Sequence, residues 1–109
     1  MVLTVFRSRL RDGCDLTMLE KIGRRMHELA TAMPGFISYK DFQAADGESV
    51  TIVEFESAEA QRAWHEHPEH REAQRLAREQ FLSEYRIQVG TPARTYSFPR
   101  PTDDRQTST

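Results

Sequence analysis

The only tryptophan of the chain and three of its four histidines fall within one short stretch, RAWHEHPEHREAQ, residues 62–74. Trp64 offers a large apolar surface and one N–H donor. His70 can accept a proton near neutral pH, since the unperturbed pKa of histidine is about 6.5. Trp64 ends one predicted helix and His70 begins the next, so both side chains are expected at a crevice between helices and sheet. They are predicted to be the catalytic pair of an acid–base pocket.

The same stretch has a plainer interpretation, a core tryptophan beside a solvated histidine. A metal site is a further possibility to weigh, because His67 and His70 can converge across the bend at Pro68. His65 and His67 are two residues apart, which places them on different sides of a helix. No carboxylate or cysteine is positioned to complete a ligand set. No metal site is therefore predicted, and His65 is expected to be exposed.

Five further side chains are predicted to bind substrate around the catalytic pair: Tyr39, His67, Arg78, Phe81 and Tyr85. Three arginines follow one side of the second predicted helix, at four- and three-residue spacing: Arg71, Arg75 and Arg78. Arg75 or Arg78 can hold an anionic substrate near the crevice. Alternatively, the three arginines form a solvated face that pairs with Glu72 and Glu79.

Composition excludes several classes of protein. The chain has 109 residues, 38% of them hydrophobic and 29% charged, with a net charge of −2, which is typical of one soluble domain. Its 15 basic residues are interspersed with acids, so no nucleic-acid partner is predicted. No apolar run is long enough to span or anchor in a membrane. Cys14 is the one cysteine and has no disulfide partner, so the expected location is the cytoplasm.

The catalytic pair must be positioned by a sheet and its covering helices. Apolar alternation predicts strands at residues 2–10, 36–43, 49–56 and 85–89. A capping box from Thr17 to Glu20 begins the first helix, which stops before Pro34. Ser57 is predicted to cap a short helix ending near residue 66, and Pro68 to begin a longer one ending near residue 84.

This order, β-α-β-β-α-β, predicts an α+β fold of the ferredoxin-like type. Its four-stranded antiparallel sheet carries both helical segments on one face. Residues 1–98 are expected to form the single domain, with residues 91–98 as an extended arm. Residues 99–109 are polar and interrupted by proline, so they are expected to form a disordered C-terminal tail.

The predicted sheet carries apolar residues on both faces. Val53 and Phe55 lie on one face of the third strand, while Val50 and Ile52 lie on the other. An antiparallel sheet that is open to water on one side alternates more cleanly. The sequence therefore predicts a homodimer formed sheet to sheet. The other explanation is an apolar face covered by the arm.

Several segments together resemble the antibiotic biosynthesis monooxygenase (ABM) domain family: PGF entering the second strand, VEFES ending the third, AW followed by HPEH, and FLSEYRIQV. The likeness covers nearly all of residues 2–90. It implies a dimeric α+β barrel. It also implies one of two activities, cofactor-free oxidation of polycyclic phenols and anthrones to quinones, or binding and degradation of haem. Trp64 matches the pocket tryptophan of both branches, and His70 falls where quinone-forming members carry a tyrosine.

The chain departs from the family in one important respect, because it contains no asparagine, whereas both branches use one in the pocket. Gln74 also stands roughly where haem degraders carry the axial histidine. The leading hypothesis is therefore a cofactor-independent monooxygenase acting on a small aromatic molecule, with His70 as the base and Trp64 N–H or an arginine as the oxyanion donor. The alternatives are a haem-binding protein, and a non-catalytic dimer that binds a small hydrophobic ligand.

Overall fold

The computed structural model describes residues 1–99 as a four-stranded antiparallel sheet with helices on one face. The strands follow one another in the sheet in the order β2-β3-β1-β4, and they are β1 (Val2–Leu10), β2 (Phe36–Gln43), β3 (Ser49–Phe55) and β4 (Leu82–Gly90). The predicted ferredoxin-like βαββαβ fold is confirmed. The predicted disordered tail, apart from Pro99, lies outside the described residues.

Three α-helices cover the sheet: α1 (Leu16–Ala32), α2 (Ala58–His65) and α3 (Pro68–Leu76). Asp15 caps α1 by accepting a hydrogen bond from the Met18 backbone N–H at 3.1 Å, so the predicted cap at Thr17 lies two residues too late. Ser57 caps α2 through the Ala60 N–H at 3.1 Å, as predicted. Within residues 1–99 none of the helices has the length and apolarity that a membrane crossing requires.

The last helix ends earlier than the sequence pattern indicates. It was expected to continue to Glu84, but α3 stops at Leu76, a π-helical turn covers Ala77–Phe81, and β4 begins at Leu82. Arg11, just after β1, donates hydrogen bonds at 2.6 and 2.8 Å to two carbonyls of this turn. These bonds satisfy backbone oxygens that the end of the helix leaves unpaired, which lets the chain change to strand geometry.

The helix-facing side of β3 changes in character along its length. Alternate residues of a strand face the same side, and on this side the sequence runs Ser49, Thr51, Val53 and Phe55. The end near the β2–β3 hairpin is therefore polar and made of small side chains, while the opposite end is apolar and bulky. On β1, Ser8 pairs with Ser49 and Thr4 with Val53. We call these two halves of the helix–sheet interface the hollow end and the closed end.

The closed end contains the main hydrophobic core, formed by two residues of α1, two of β3 and one of α2: Leu29, Ala30, Val53, Phe55 and Trp64. Gly35 joins α1 to β2 there with a backbone φ of +83°, which favours glycine. A Cβ at this position would also lie 2.8 Å from the Cβ of Ala60. The PGF segment thus requires its glycine for both conformation and packing.

The opposite face of the sheet carries no helix in the described chain. Its centre is an apolar strip in which Leu3 and Val5 of β1 lie beside Ile52 of β3, all half-buried. Phe42 of β2, on the same face, is 52% exposed. The arm does not cover this strip, because the side chain of Phe98 is 100% exposed.

Candidate functional site

A cavity of about 310 Å³ separates the helices from the sheet at the hollow end. The volume falls within the range of small-molecule pockets, about 300–1,000 Å³. Its roof comes from the N-terminal half of α1, from α3 and from the π-helical turn, and includes Leu19, Ile22, Met26, Ala73 and Ala77. Its floor comes from the sheet and includes Thr4, Phe6, Ser8, Thr51 and Ile87. Several residues of the floor are small, among them Thr4, Ser8, Ser49 and Thr51.

Three buried polar side-chain atoms of the described chain have no hydrogen-bond partner within the protein: Thr4 Oγ1, Trp64 Nε1 and His70 Nδ1. All three residues line this one cavity. Buried polar atoms in native proteins are nearly always hydrogen-bonded, and leaving one unpaired carries a desolvation penalty of about 1–3 kcal/mol. These three atoms lie in the wall of one cavity, which makes it the candidate functional site. We call them the inner polar trio.

Trp64 and His70 come together as the sequence indicated. The centroids of their rings are 4.3 Å apart with an interplanar angle of 58°. Trp64 is only 6% exposed and packs against Phe55 at 5.5 Å, so the core at the closed end holds its indole rigidly. His70 reaches the same place from the first turn of α3, where Pro68 fixes the start of the helix.

The environment of His70 disfavours its charged form. Burial, and after it the nearby His65, whose ring centroid lies 5.7 Å away, together lower the pKa of the imidazole to about 4. The expectation of a base with a pKa near 6.5 is therefore wrong for the free protein. His70 is a neutral imidazole at pH 7, and it holds a proton there only when a negative charge lies beside it.

Tyr39 also lines the cavity, as predicted, and packs edge-on against Trp64 at 6.5 Å. Burial, together with the neighbouring Asp41 carboxylate, raises the pKa of its phenol to about 12. Tyr39 therefore keeps its proton under all ordinary conditions. It can give a ligand a hydrogen bond but cannot act as a base.

Two of the predicted substrate-binding residues have structural roles elsewhere. His67 caps α3, and its Nδ1 accepts a hydrogen bond from the Glu69 backbone N–H at 3.1 Å. Phe81 is 1% exposed and is part of the buried interior beside β4. Neither residue belongs to the cavity lining formed by the described residues. His65, which was expected to be exposed, does line the cavity and is half-buried.

Arg78 and Tyr85 likewise lie outside the cavity lining that residues 1–99 form. The Arg78 guanidinium donates a hydrogen bond to the Tyr85 hydroxyl at 3.0 Å, and the Tyr85 ring packs on Phe6 at 5.6 Å. Tyr85 thus packs beside the Phe6 ring of the cavity floor, on the same face of the sheet. Arg75 forms ion pairs with two glutamates at 2.6 and 2.8 Å, which agrees with the solvated-face interpretation.

Sequence reasoning missed Thr4 and Asp41. Thr4 is 4% exposed and belongs to the inner polar trio. The one sequence indication was a hydroxyl residue between the apolar residues Val2 and Phe6 on the core side of β1. Asp41 is the one carboxylate that lines the cavity, and no lysine or arginine of the described chain lines it. Its Oδ1 accepts a hydrogen bond from Thr51 Oγ1 at 2.5 Å.

Comparison with known sequences identifies related proteins. The sequence profile of the antibiotic biosynthesis monooxygenase family matches residues 1–76, which confirms the resemblance noted from the motifs. The protein YqjZ of Bacillus subtilis (strain 168), which is described as uncharacterized, is 31% identical over 80 residues, or 73% of this chain and 70% of YqjZ.

Solved structures share the fold at lower sequence identity. Rv0793 from Mycobacterium tuberculosis is 22% identical and superposes with a TM-score of 0.75, covering 88% of this chain and 98% of Rv0793. SnoaB, a cofactor-independent oxygenase from Streptomyces nogalater, is 18% identical with a TM-score of 0.72, covering 91% and 97% of the two chains. A dimeric ferredoxin-like protein of unknown function from Thermobifida fusca is 17% identical, with a TM-score of 0.66 and coverage of 84% and 90%.

Proposed function

Because this chain belongs to the antibiotic biosynthesis monooxygenase family, we propose that it is a cofactor-independent monooxygenase acting on a small aromatic substrate. The substrate class is a polycyclic phenol, an anthrone or a quinol. The observation that carries the proposal is the inner polar trio, three unpartnered polar atoms at one end of an otherwise largely apolar cavity. The cofactor-independent oxygenase SnoaB, which shares the fold, supports the same type of chemistry.

The proposed reaction begins with removal of a proton from the bound substrate. His70 accepts this proton, and the resulting imidazolium is stabilised by the substrate anion beside it, which raises the low pKa of the free imidazole. Trp64 N–H and the Thr4 hydroxyl donate hydrogen bonds to the oxygen on which negative charge develops. A positioned base contributes about 10²–10⁴-fold to such a step, and one oxyanion donor about 10²–10³-fold.

The substrate itself supplies the electrons. The carbanion of an anthrone reduces dioxygen, one oxygen atom enters the ring as the new carbonyl, and the other leaves as water. The methylene carbon loses two hydrogens and four electrons in total, which balances the four-electron reduction of one dioxygen molecule. The protein needs to provide a base, donors for the oxyanion and an apolar space that excludes competing water.

Haem is a weaker fit to the same cavity. Its two carboxylate groups need positively charged or donor-rich partners, yet no lysine or arginine lines the cavity within the described chain. Asp41 lines the cavity instead, and its negative charge would repel the haem carboxylates. Gln74, which lines the cavity in α3, offers no imidazole, so an axial ligand would have to come from His65 or His70.

We also propose a homodimer formed through the open sheet face. Its support is the uncovered apolar strip around Val5 and Ile52, the exposed Phe42, and the dimeric state of the Thermobifida fusca protein that shares the fold. Static light scattering is expected to give twice the chain mass at micromolar concentration. Ile52→Arg places a charge in the strip and is expected to give monomers. A wild-type mass equal to one chain would contradict the proposal.

The decisive experiment for the reaction measures oxygen uptake and quinone absorbance with anthrone in a chelator-treated buffer. With ¹⁸O₂, one labelled oxygen is expected in the quinone. His70→Ala is expected to lower kcat/KM by about 100-fold or more. The matched control is His67→Asn, which changes a neighbouring histidine but keeps a good helix cap, and it is expected to keep wild-type activity.

Two outcomes would overturn the proposal. Full activity in His70→Ala removes the base from the mechanism. Tight binding of anthrones, anthrols and quinols without any oxygen uptake identifies a ligand-binding protein instead. A hemin titration that saturates at one equivalent per chain and shifts the Soret band would favour the haem alternative.

A further inference from the structure

We infer that the outer end of the same cavity selects the substrate by charge, with Asp41 binding a hydrogen-bond donor on the far end of the aromatic molecule and rejecting a carboxylate there. The donor is a hydroxyl or a protonated amine. This inference rests on the proposed function, because it concerns the substrate of the same site. It defines the substrate class more narrowly, as an aromatic with the reacting oxygen at one end and a neutral or cationic donor at the other.

Strand register shows that Asp41 lies away from the inner polar trio. Thr4 pairs with Val53, which pairs with Tyr39, so these three residues share one level of the sheet. Asp41 pairs with Thr51 two residues further toward the hairpin. At about 3.3 Å per residue, the two levels are about 7 Å apart. Ser8 and Ser49 pair another two residues along, about 13 Å from the level of Thr4.

The side chains at this outer end are acceptors or small hydroxyls. Thr51, Ser49 and Ser8 line the cavity together with Asp41. The hydrogen bond from Thr51 at 2.5 Å holds the Asp41 carboxylate in place while using only one of its roughly four acceptor sites. The remaining sites are open to a donor from a ligand. A ligand carboxylate has no donor to offer and would bring a second negative charge.

No cation of the described chain compensates Asp41. The structure places it in none of the ion pairs among residues 1–99. Lys40, the adjacent residue, points to the opposite face of the sheet because successive strand residues alternate. Arg7 and Arg9, on that same opposite face, are engaged by Glu48 and Asp46. The carboxylate of Asp41 is therefore the one net charge at the outer end of the cavity.

The charge of Asp41 acts on the interior of the cavity. It contributes to the raised pKa of Tyr39, whose phenol lies on the inner level of the same strand. A carboxylate that opposes ionisation of a cavity phenol will oppose entry of an anionic group in the same way. This preference is the opposite of the predicted binding of an anionic substrate by Arg75 or Arg78.

The test uses 2-naphthol and three derivatives that carry a hydroxyl, an aminomethyl or a carboxylate group at the far ring position. This rigid two-ring aromatic can place one oxygen at the inner polar trio and the second group near Asp41. Calorimetric titration of the full chain at about pH 7 gives each dissociation constant. The hydroxyl and aminomethyl compounds are expected to bind about tenfold more tightly than 2-naphthol, and the carboxylate about tenfold more weakly.

The variant Asp41→Asn distinguishes binding of the cationic aminomethyl group, which depends on charge, from binding of the neutral hydroxyl group. It is expected to remove most of the preference for the aminomethyl compound and most of the penalty on the carboxylate, while the hydroxyl compound changes about threefold or less. Glu56→Gln is the matched control, because it removes the same charge beyond the closed end of β3 and is expected to leave all four constants unchanged.

The outcomes distinguish this inference from the proposed function. If none of the four compounds binds to the wild-type chain, the aromatic-ligand function fails, and this inference fails with it. If 2-naphthol binds but the carboxylate compound binds equally well, or if Asp41→Asn and Glu56→Gln behave alike, charge selection is wrong and the proposed function stands.

Discussion

The two ends of the helix–sheet interface are built from the same strands and the same first helix, yet one is packed and the other is open. At the closed end, Phe55 and Val53 are fully buried against Leu29 and Ala30 of α1. At the hollow end, two residues on the same side of β3 are a serine and a threonine, and a cavity of about 310 Å³ takes the place of a core. The comparison shows that small polar side chains of the sheet accompany the cavity, whereas large apolar side chains fill the closed end.

The first helix shows the same contrast. Its C-terminal half contributes Leu29 and Ala30 to the core, while near its N-terminus Leu16 and Met18 remain exposed. Leu19 and Ile22 face the cavity. The packed half gives most of the stability, because buried apolar area in close contact is the dominant favourable term in folding. The open half provides apolar walls, and the unsatisfied polar atoms lie where it meets the closed end.

The largest expected effect is a loss of stability, and it tests whether packing at the closed end contributes most to the free energy of unfolding. Phe55→Ala leaves a large void in a packed region and is expected to lower the free energy of unfolding by about 3–5 kcal/mol. Phe6→Ala, in the cavity floor, removes a ring that already lacks neighbours on one side and is expected to cost roughly half as much or less. Urea unfolding of both variants measures the difference. Equal losses would show that the two ends are energetically alike.

The next effect is a dependence of stability on pH, which arises from His70 in the wall of the cavity. His70 has a depressed pKa in the folded chain, about 4, whereas the unfolded chain binds the proton at about 6.5. The unfolded state therefore binds more protons between these values, and stability falls as pH decreases from about 6.5 to 4. The loss from this residue is up to about 3 kcal/mol.

Unfolding free energies measured across this pH window test whether His70 causes the loss of stability. The wild type is expected to lose more stability than His70→Gln, which cannot take up the proton. Identical slopes in the wild type and His70→Gln would mean that His70 is not the group responsible.

A smaller effect separates function from stability at Thr4, where the cavity meets the closed end. Thr4→Val keeps the shape of the side chain and removes its unpartnered hydroxyl, so stability is expected to stay equal or rise by up to about 1 kcal/mol. Turnover of anthrone is expected to fall about tenfold or more, because one oxyanion donor is lost. Thr51→Val, whose hydroxyl is bonded to Asp41, is instead expected to lose stability. A marked loss of stability in Thr4→Val would assign this hydroxyl a structural role.

The smallest effect is expected at the surface above the cavity. Arg25 of α1 donates two hydrogen bonds to Glu69 of α3, both at 2.7 Å, but each side chain is about half exposed. Arg25→Gln is expected to lower stability only slightly, and less in molar salt than in dilute buffer, because solvent-exposed ion pairs are screened. A loss as large as that of Phe55→Ala would mean that the helices over the cavity depend on this pair.

Much of the architecture could be predicted from local patterns. The bounds of β1 and β2 were predicted correctly, because alternation and flanking turn residues are properties of neighbouring positions. The pairing of Trp64 with His70 was also predictable, since one helix ends and the next begins between them. The early end of α3 was not, because it depends on hydrogen bonds from Arg11, which lies more than 60 residues away in sequence.

By itself, the sequence determined the element order, the family and the aromatic–histidine pair, all of which depend on residue types at short spacing. Only the tertiary structure decided that Thr4 joins that pair, that Asp41 is the single carboxylate of the cavity, and that Arg78 and His67 stand outside it. The physical reason is that burial, hydrogen-bond satisfaction and pKa depend on neighbours brought together by strand pairing and helix packing. The same histidine is an ordinary base in the sequence and a neutral, buried imidazole in the fold.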